Sequence, residues 1–394
     1  MSASDSDGAA AESRDVLVIG AGPAGTIAAL QLARAGHDVL LVERKTFPRR
    51  KVCGCCLNAR AIAAFKSLGI DQTLQELEPV QLDAFRLWSN GRKAAMTMPQ
   101  GWAVSRAALD AKLLAIAQAA GVEVLTQATA IVGDIQNDRR IVKVEIEHRT
   151  ARIVAAKVAV AADGLGHPSL RELPEFAASS TQEVALNSRL GAGCEVASVG
   201  NDFACGTIEM LVAREGYVGI AQLESGSWNI AAAFDREAVR QLGGLAPTAV
   251  RIGQQATGRV LSFLETAAWT GTPELTRSPD RVALDRLFLI GDAAGYVEPF
   301  TGEGMASAIE QALHASPWVS RAVTAWSSDW SLAWCDQHQQ LAQQRAWLCR
   351  GLANLLRRPW CVRAAIAGLR LWPQLAAPLM KSLNAPAQSR MGWQ

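Results

Sequence analysis

The chain has 394 residues, 49% of them apolar, and a formal net charge of +2. That length allows two domains with sizeable cores, and the near balance of charge gives no reason to expect nucleic acid as a partner. No run of about 18 apolar residues occurs, so no transmembrane helix is expected.

Residues 1–13 are small and polar, with Asp5, Asp7 and Glu12 and no basic or apolar centre. They read as a disordered tail and not as a signal peptide. The eight cysteines are expected as thiols in a chain of intracellular texture. Cys53, Cys55 and Cys56 crowd together; Cys194, Cys205, Cys335, Cys349 and Cys361 sit among apolar neighbours as small core residues.

The run Val16, Leu17, Val18, Ile19 before a glycine turn has the pattern of a strand buried on both faces of a parallel sheet. Residues 25–35 have helix composition, and 39–43 form a second strand. Each glycine between them has a physical task. Gly20 makes the tight turn, Gly22 lets backbone amides approach a pyrophosphate, and Gly25 lets the helix pack on the sheet. Pro23 and Ala24 stand in the same turn and are counted with the glycines as cofactor-binding, and the N-terminus of the following helix offers free amides and partial positive charge to phosphate. Glu43 ends the second strand where an acid accepts a ribose hydroxyl, which favours the adenosine of FAD or NAD.

A basic loop, 44–56, follows and is expected to run back over the cofactor, carrying Arg44, Arg49, Arg50, Lys51 and Cys53. Residues 57–68 look helical. Residues 81–99 read as two strands about Asn90-Gly91, a strong hairpin signal. Arg106 opens a helix over 107–120, and a strand follows at 122–125. A hairpin or three-strand meander spans 130–159, turning at Asn137-Asp138. A buried strand, 158–162, ends in Asp163-Gly164. Strand-like pieces at 185–190, 207–212, 217–223 and 228–234 alternate with turns, and helical segments at 236–242 and 250–264 close this region. Parallel-strand texture returns at 287–290, before Gly291-Asp292 and a small-residue helix over 306–314. From Pro317 onward the chain reads as helical, contains eight of the twelve tryptophans, and has no acidic residue beyond Gln339.

Three separated pieces, the 20–43 fingerprint, Asp163-Gly164 and Gly291-Asp292, resemble in order and spacing the FAD-dependent aromatic hydroxylase superfamily, the group A flavoproteins. Lys51-Val52-Cys53-Gly54, and Gly291-Asp292-Ala293-Ala294-Gly295 with Pro299, Thr301-Gly302 and Gly304-Met305, are similar to its geranylgeranyl reductase branch. The likeness covers residues 14–315. It implies an α/β fold: a glutathione-reductase-type, Rossmann-like FAD-binding domain from 14–80, 101–170 and 276–316, with an antiparallel β-sheet substrate domain from 81–100 and 171–275. A helical C-terminal cap, 317–394, completes the chain. It also implies that Glu43 binds the adenosine ribose, Arg106 lies near the phosphates or ribityl chain, and Ala130 gives backbone contacts to adenine. Asp292 holds the ribityl and pyrophosphate region, and Gly302, Gly304 and Met305 run along the isoalloxazine edge.

Two departures stand out. Ser169 and Arg171 follow Asp163-Gly164 at shifted spacing, which counts against NAD(P)H docking there. Tyr217-Val218-Gly219 replaces an aromatic wall in the substrate sheet, which points away from a standard polyprenyl lipid. Cys53 is expected to protonate or position a substrate, with its pKa lowered by Arg49, Arg50 and Lys51. Tyr217 is the second catalytic candidate, set against a packing role. Cys55 and Cys56 are assigned to packing. The histidines His37, His148, His167, His314 and His338 receive no catalytic role, and no metal site is expected.

The expected function is an FAD-dependent reductase of a carbon–carbon double bond in an apolar polyketide- or isoprenoid-like small molecule, with NAD(P)H as electron donor. A monooxygenase hydroxylating an aromatic ring and a non-catalytic redox sensor are the alternatives; the tryptophan motif of flavin halogenases is absent. The expected location is cytoplasmic. The C-terminus is expected to pack as a cap, with peripheral membrane contact as its alternative.

Overall fold

The computed structural model describes residues 11–147, 149–177, 182–297, 300 and 302–385. His148, Pro299, Thr301 and most of the expected N-terminal tail lie outside the described residues.

Two eight-stranded sheets carry the molecule. In the first, the spatial order is Ala283–Leu284, Leu287–Leu289, Arg152–Ala161, Glu12–Ile19, Val39–Val42 and Glu123–Leu125. All neighbours pair parallel except the antiparallel edge strand Ala283–Leu284. Residues 16–19 and 39–42 are buried throughout, as the continuous apolar runs predict for a sheet covered on both faces. Helices Pro23–Arg34, Arg106–Ala119 and Glu303–Thr324 pack together beside this sheet. The strands Ala128–Gln136 and Arg139–Ile146 complete a three-strand antiparallel meander with Arg152–Ala161.

The second sheet runs Thr270–Glu274, Leu190–Val196, Trp228–Phe234, Gly216–Gln222, Thr207–Ala213, Val80–Ser89, Arg92–Ala103 and Cys56–Leu57. It is antiparallel except between Thr207–Ala213 and Val80–Ser89. The tight hairpin has Asn90 at φ 51° and Gly91 at φ 69°, the paired left-handed conformation that matches strand twist. Side chains alternate between two cores. Val218, Leu211 and Ala232 pack toward helix Leu245–Thr257, while Tyr217, Met210 and Ala233 join a cluster with Leu356, Val362, Ile366 and Ala376 of the C-terminal helices.

Several elements differ from expectation. Glu12 and Ser13, expected in the tail, extend the first strand, because Glu12 pairs with Val154 and its carboxylate meets Arg14 and Arg152. The strand expected at 185–190 begins only at Leu190. Residues 153–161 form one strand and not two. The helix expected at 250–264 is two, Leu245–Thr257 and Ser262–Thr266, broken at Gly258 with φ 79°. The helix expected over 306–314 extends from Glu303 to Thr324 through Pro317, across the expected 316/317 domain boundary. Proline there removes one helical bond, but Ala312, Ala315, Trp318 and Val319 are all buried and hold both flanks in place. The next helix, Ser328–Leu356, is tied to the first sheet by Trp334, whose buried indole N–H donates to the Leu289 carbonyl at 3.0 Å.

No helix among the described residues is long and apolar enough to cross a membrane. Helix Ala59–Ser67 is fixed to Glu303–Thr324 by Arg60, which is fully buried. Its guanidinium donates to Glu310 Oε1 at 2.9 Å and to Glu303 Oε1 at 3.2 Å. Arg60→Ala leaves these acids without that counter-ion, and should lower unfolding free energy by about 3–5 kcal/mol in urea denaturation. A loss under about 1 kcal/mol would mean that the pair does not fasten the two helices.

Candidate active site and cofactor cradle

The fingerprint glycines differ in what surrounds them. Gly20 has φ 98°, and a Cβ there would lie 2.5 Å from the Ala162 carbonyl oxygen. A Cβ on Gly25 would fall 1.9 Å from the Gly20 oxygen, so helix and turn meet backbone to backbone. Above Gly22 the nearest atom is Arg106 Nη2, at 3.8 Å from the Cβ position. Two glycines therefore close the turn, and the third faces open space. Helix Pro23–Arg34 has no side-chain cap at its N-terminus, which leaves donors directed to that space. Glu43 is buried, and its carboxylate accepts N–H bonds from Ala21 and Lys45, each at 3.0 Å. Arg49 Nη2 lies 3.3 Å from Glu43 and donates to the Ala21 carbonyl at 3.3 Å.

Arg106 stands one residue after the cap Ser105, whose hydroxyl accepts the Ala108 N–H at 3.1 Å. Its guanidinium makes two 2.8 Å bonds to the fully buried Asp110 one turn on. Arg49 approaches the same carboxylate at 3.4 Å. Lys51 is exposed to the cleft yet hemmed in by protein, with its Nζ 3.4 Å from the Cβ position of Gly164. Desolvation, then Arg106, lowers its pKa, opposed by Asp292 and Asp110. Arg44 is exposed at the strand end.

Cys53 lies in the same loop, and its Sγ accepts the Cys55 N–H at 3.4 Å. Its pKa falls to about 6, chiefly because the Cys55 thiol donates to it and then because of the Arg106 guanidinium, while burial opposes both. The thiolate depends on Cys55 and Arg106. Arg50, expected to share this role, is exposed and faces Glu195 at 3.4 Å, and Arg49 is turned to Glu43 and Asp110. Cys55, assigned to packing from the sequence, is thus a hydrogen-bond donor to Cys53 and keeps its proton. Burial, with the nearby Cys53 charge, pushes Cys56 up to about 12. Asn229 Nδ2 donates to the Cys53 carbonyl at 2.9 Å and so ties the loop to the second sheet.

Asp163 follows the strand Arg152–Ala161, and its Oδ2 accepts the Ser169 N–H at 2.8 Å. Its Oδ1 is buried without a hydrogen-bond partner, and burial raises the carboxyl's pKa. Gly291, at φ 63°, donates its N–H to Gln311 Oε1 at 2.9 Å. A Cβ on it would lie 2.9 Å from that of Ala24, so the two glycine turns touch. Asp292 is half-buried beside a cavity of about 610 Å³ between the 303–324 and 328–356 helices, lined also by Arg277, Gly304, Gln311 and His338. Gly302 caps the long helix at φ 72°, with its Cβ position 3.6 Å from Cys56 Cβ, and Met305 is buried one turn in. Ala130 is buried within the strand Ala128–Gln136, two residues past Ala128, whose N–H donates to the Glu43 carbonyl at 3.0 Å.

Tyr217 stands apart on the second sheet. Its ring meets Phe300 edge-on at 5.2 Å, Arg189 lies over it at 5.5 Å, and it belongs to the apolar cluster that includes Cys56.

FAD fits what is present. Open space over Gly22, uncapped amides, the cations Arg106 and Lys51, and a buried Asp163 oxygen lacking a donor match a pyrophosphate joined to a hydroxylated chain. Sequence reasoning missed Asp110 and Asn229, gave Arg49 to Cys53 where it meets Glu43 and Asp110, and gave Cys55 to packing. Asp110 had a signal, its four-residue spacing from Arg106; Asn229 had none, since its partner is 176 positions away. No group of three or more candidate metal ligands gathers among the described residues.

Iodoacetamide should alkylate Cys53 with a pH midpoint of about 6, ahead of Cys55 and Cys56, and Arg106→Gln should raise that midpoint. Peptide mass spectrometry of quenched samples reads both. A Cys53 midpoint in the ordinary thiol range would rule out the thiolate.

Residues 13–347 match the family described as FAD binding domain. The menaquinone reductase of Mycobacterium tuberculosis is 29% identical over 323 residues, 76% of this chain and 74% of that protein. Digeranylgeranylglycerophospholipid reductase 1 of Methanothermobacter thermautotrophicus is 28% identical over 330 residues, 79% and 78% of the two chains. Among solved structures, p-nitrophenol 4-monooxygenase PnpA from Pseudomonas putida DLL-E4 superposes with a TM-score of 0.73 at 15% identity, over 96% of this chain and all of that one. The last likeness is one of fold; the match over residues 13–347 places the chain in the FAD binding domain family of flavin-dependent oxidoreductases.

Proposed function

We propose that this protein is an FAD-dependent reductase of a carbon–carbon double bond in an apolar, isoprenoid-like small molecule, with NAD(P)H as electron donor. The observation that carries the reading is the Cys53–Cys55–Arg106 cluster, which lies at the joint between the cofactor cradle and the second sheet. The two reductase relatives support the substrate class.

Gly20, Gly22, Pro23, Ala24 and Gly25 would form the pyrophosphate turn, with Arg106 and Lys51 as counter-ions. Glu43 would take the adenosine ribose, with Arg44 at the rim and Ala130 near adenine. Asp163, Gly291 and Asp292 would hold the ribityl chain, and Gly302, Gly304 and Met305 the ring edge. Bound FAD supplies the hydride-transfer chemistry. The protein's part is orientation and a proton. Cys53 and Cys55 hold one proton between them at neutral pH, since Cys53 is acidic and Cys55 is not. That shared proton would go to the alkene carbon next to the one that takes the hydride, and the pair would recover a proton from solvent. Tyr217, Phe85 and Phe300 would form the apolar wall, with Tyr217 orienting the substrate. We place the enzyme in the cytoplasm, in peripheral contact with the membrane that holds its substrate.

The purified protein should be yellow, and Gly22→Val should lose FAD, because its side chain fills the open space above the turn. In anaerobic stopped-flow experiments with menaquinone dispersed in detergent, Cys53→Ser should slow substrate-dependent flavin reoxidation about 100-fold, with reduction by NAD(P)H unchanged. Turnover that requires oxygen and is indifferent to Cys53→Ser would replace this reading with hydroxylation.

A further inference from the structure

Helix Pro359–Leu371 is apolar on two opposite faces. Val362 and Ile366 are buried, and Leu369 packs with them against the cluster that contains Tyr217 and Phe300. On the other side Trp360, Ala364, Ala367 and Leu371, at helical spacing, share one exposed stripe. Trp360 is 62% exposed and Leu371 71%, and the stripe continues into Trp372 at 65% and Leu375 at 61% in the next turn. An amphipathic helix that roofs a sheet needs only one such face. The second is left unpartnered among the described residues, and it holds four of the eleven large hydrophobic residues exposed in them.

Charge decides between occupants. Arg363 and Arg370 are exposed, lie seven residues apart and border the stripe on one side. Arg358 caps the helix, Lys381 is exposed beyond it, and the sequence has no acidic residue after Gln339. An interface between two copies of this chain would bring these cations against each other. A bilayer with anionic headgroups takes both parts at once: tryptophan and leucine enter the headgroup boundary, and arginines meet lipid phosphate.

We infer that the Trp360–Leu371–Trp372–Leu375 face is a docking surface for anionic membranes. The helix lies in the plane of the interface and its inner face roofs the apolar cluster around Tyr217. The inference rests on the peripheral placement proposed above and adds the surface that makes the contact.

The test is flotation of the full-length, FAD-loaded protein with vesicles of phosphatidylcholine alone or with phosphatidylglycerol added. Wild type should float with the anionic vesicles, and less as salt is raised. Arg363→Gln with Arg370→Gln should weaken partitioning about 25-fold, at about fivefold per arginine. Trp360→Ser, Leu371→Ser and Trp372→Ser together should weaken it by about tenfold or more. All five side chains are exposed, and unchanged flavin absorbance and circular dichroism certify the fold of each variant. Flotation unaffected by either set overturns the surface but leaves peripheral placement standing. Absence of wild-type flotation overturns both, and a concentration-dependent dimer abolished by the serine variant overturns the surface. The reductase reading is judged separately, by turnover on detergent-dispersed substrate.

Discussion

Arg106 with Asp110 is the pair on which the site depends. Two buried charges are costly to desolvate and are held only where geometry is good, which the two parallel 2.8 Å bonds provide. With Asp110 engaged, the guanidinium still has charge to spare. It reaches the space above Gly22 on one side and the Cys53 sulfur on the other. One cation thus serves both the cradle and the thiolate. Arg49 shares Asp110, and Lys51 has its pKa lowered by desolvation first and then by the neighbouring Arg106. Positive charge gathers where a pyrophosphate fits, which stabilises the ligand-bound arrangement over the open one.

What could be read in advance follows from how local its cause is. The Gly20–Gly25 turn was legible because backbone sterics within six residues demand glycine, and the 1.9 Å and 2.5 Å approaches show why. The buried strands were legible because both faces of a parallel sheet need apolar side chains. The absence of a strand at 185–189 was not, since apolar content there competes with pairing partners supplied from Trp228–Phe234 and Thr270–Glu274. The domain boundary expected at 316/317 falls inside one helix, where burial of the flanks overrides the tendency of proline to end a helix. The Cys53 environment was half legible. Its basic loop signalled a lowered pKa, but the responsible cation is Arg106, distant in sequence, and the chief donor is Cys55.

The second sheet shows how a strand pattern divides labour. Along Gly216–Gln222 the period of two sends Tyr217 and Ala221 to one core and Val218 and Ile220 to the other. A packed helix, Leu245–Thr257, fills one side. The other is closed by C-terminal helices, so the residues expected to meet substrate share a cluster with residues from the end of the chain. A tyrosine that is buried against Phe300 and beneath Arg189 can serve as a wall only because those segments arrive from three separate parts of the sequence.

The parallel pairing of Val80–Ser89 with Thr207–Ala213 also governs how the chain is made. During synthesis the hairpin Val80–Ala103 emerges more than a hundred residues before the strand that covers its flank. Until then it presents unpaired amides and carbonyls along a strand bearing Leu82, Phe85 and Leu87. Loop closure over that separation is slow relative to local helix formation, so the nascent hairpin is the segment most exposed to self-association. Its charges, exposed Asp83 and half-buried Arg86 on the first strand and exposed Arg92 and Lys93 at the turn, interrupt the apolar pattern there.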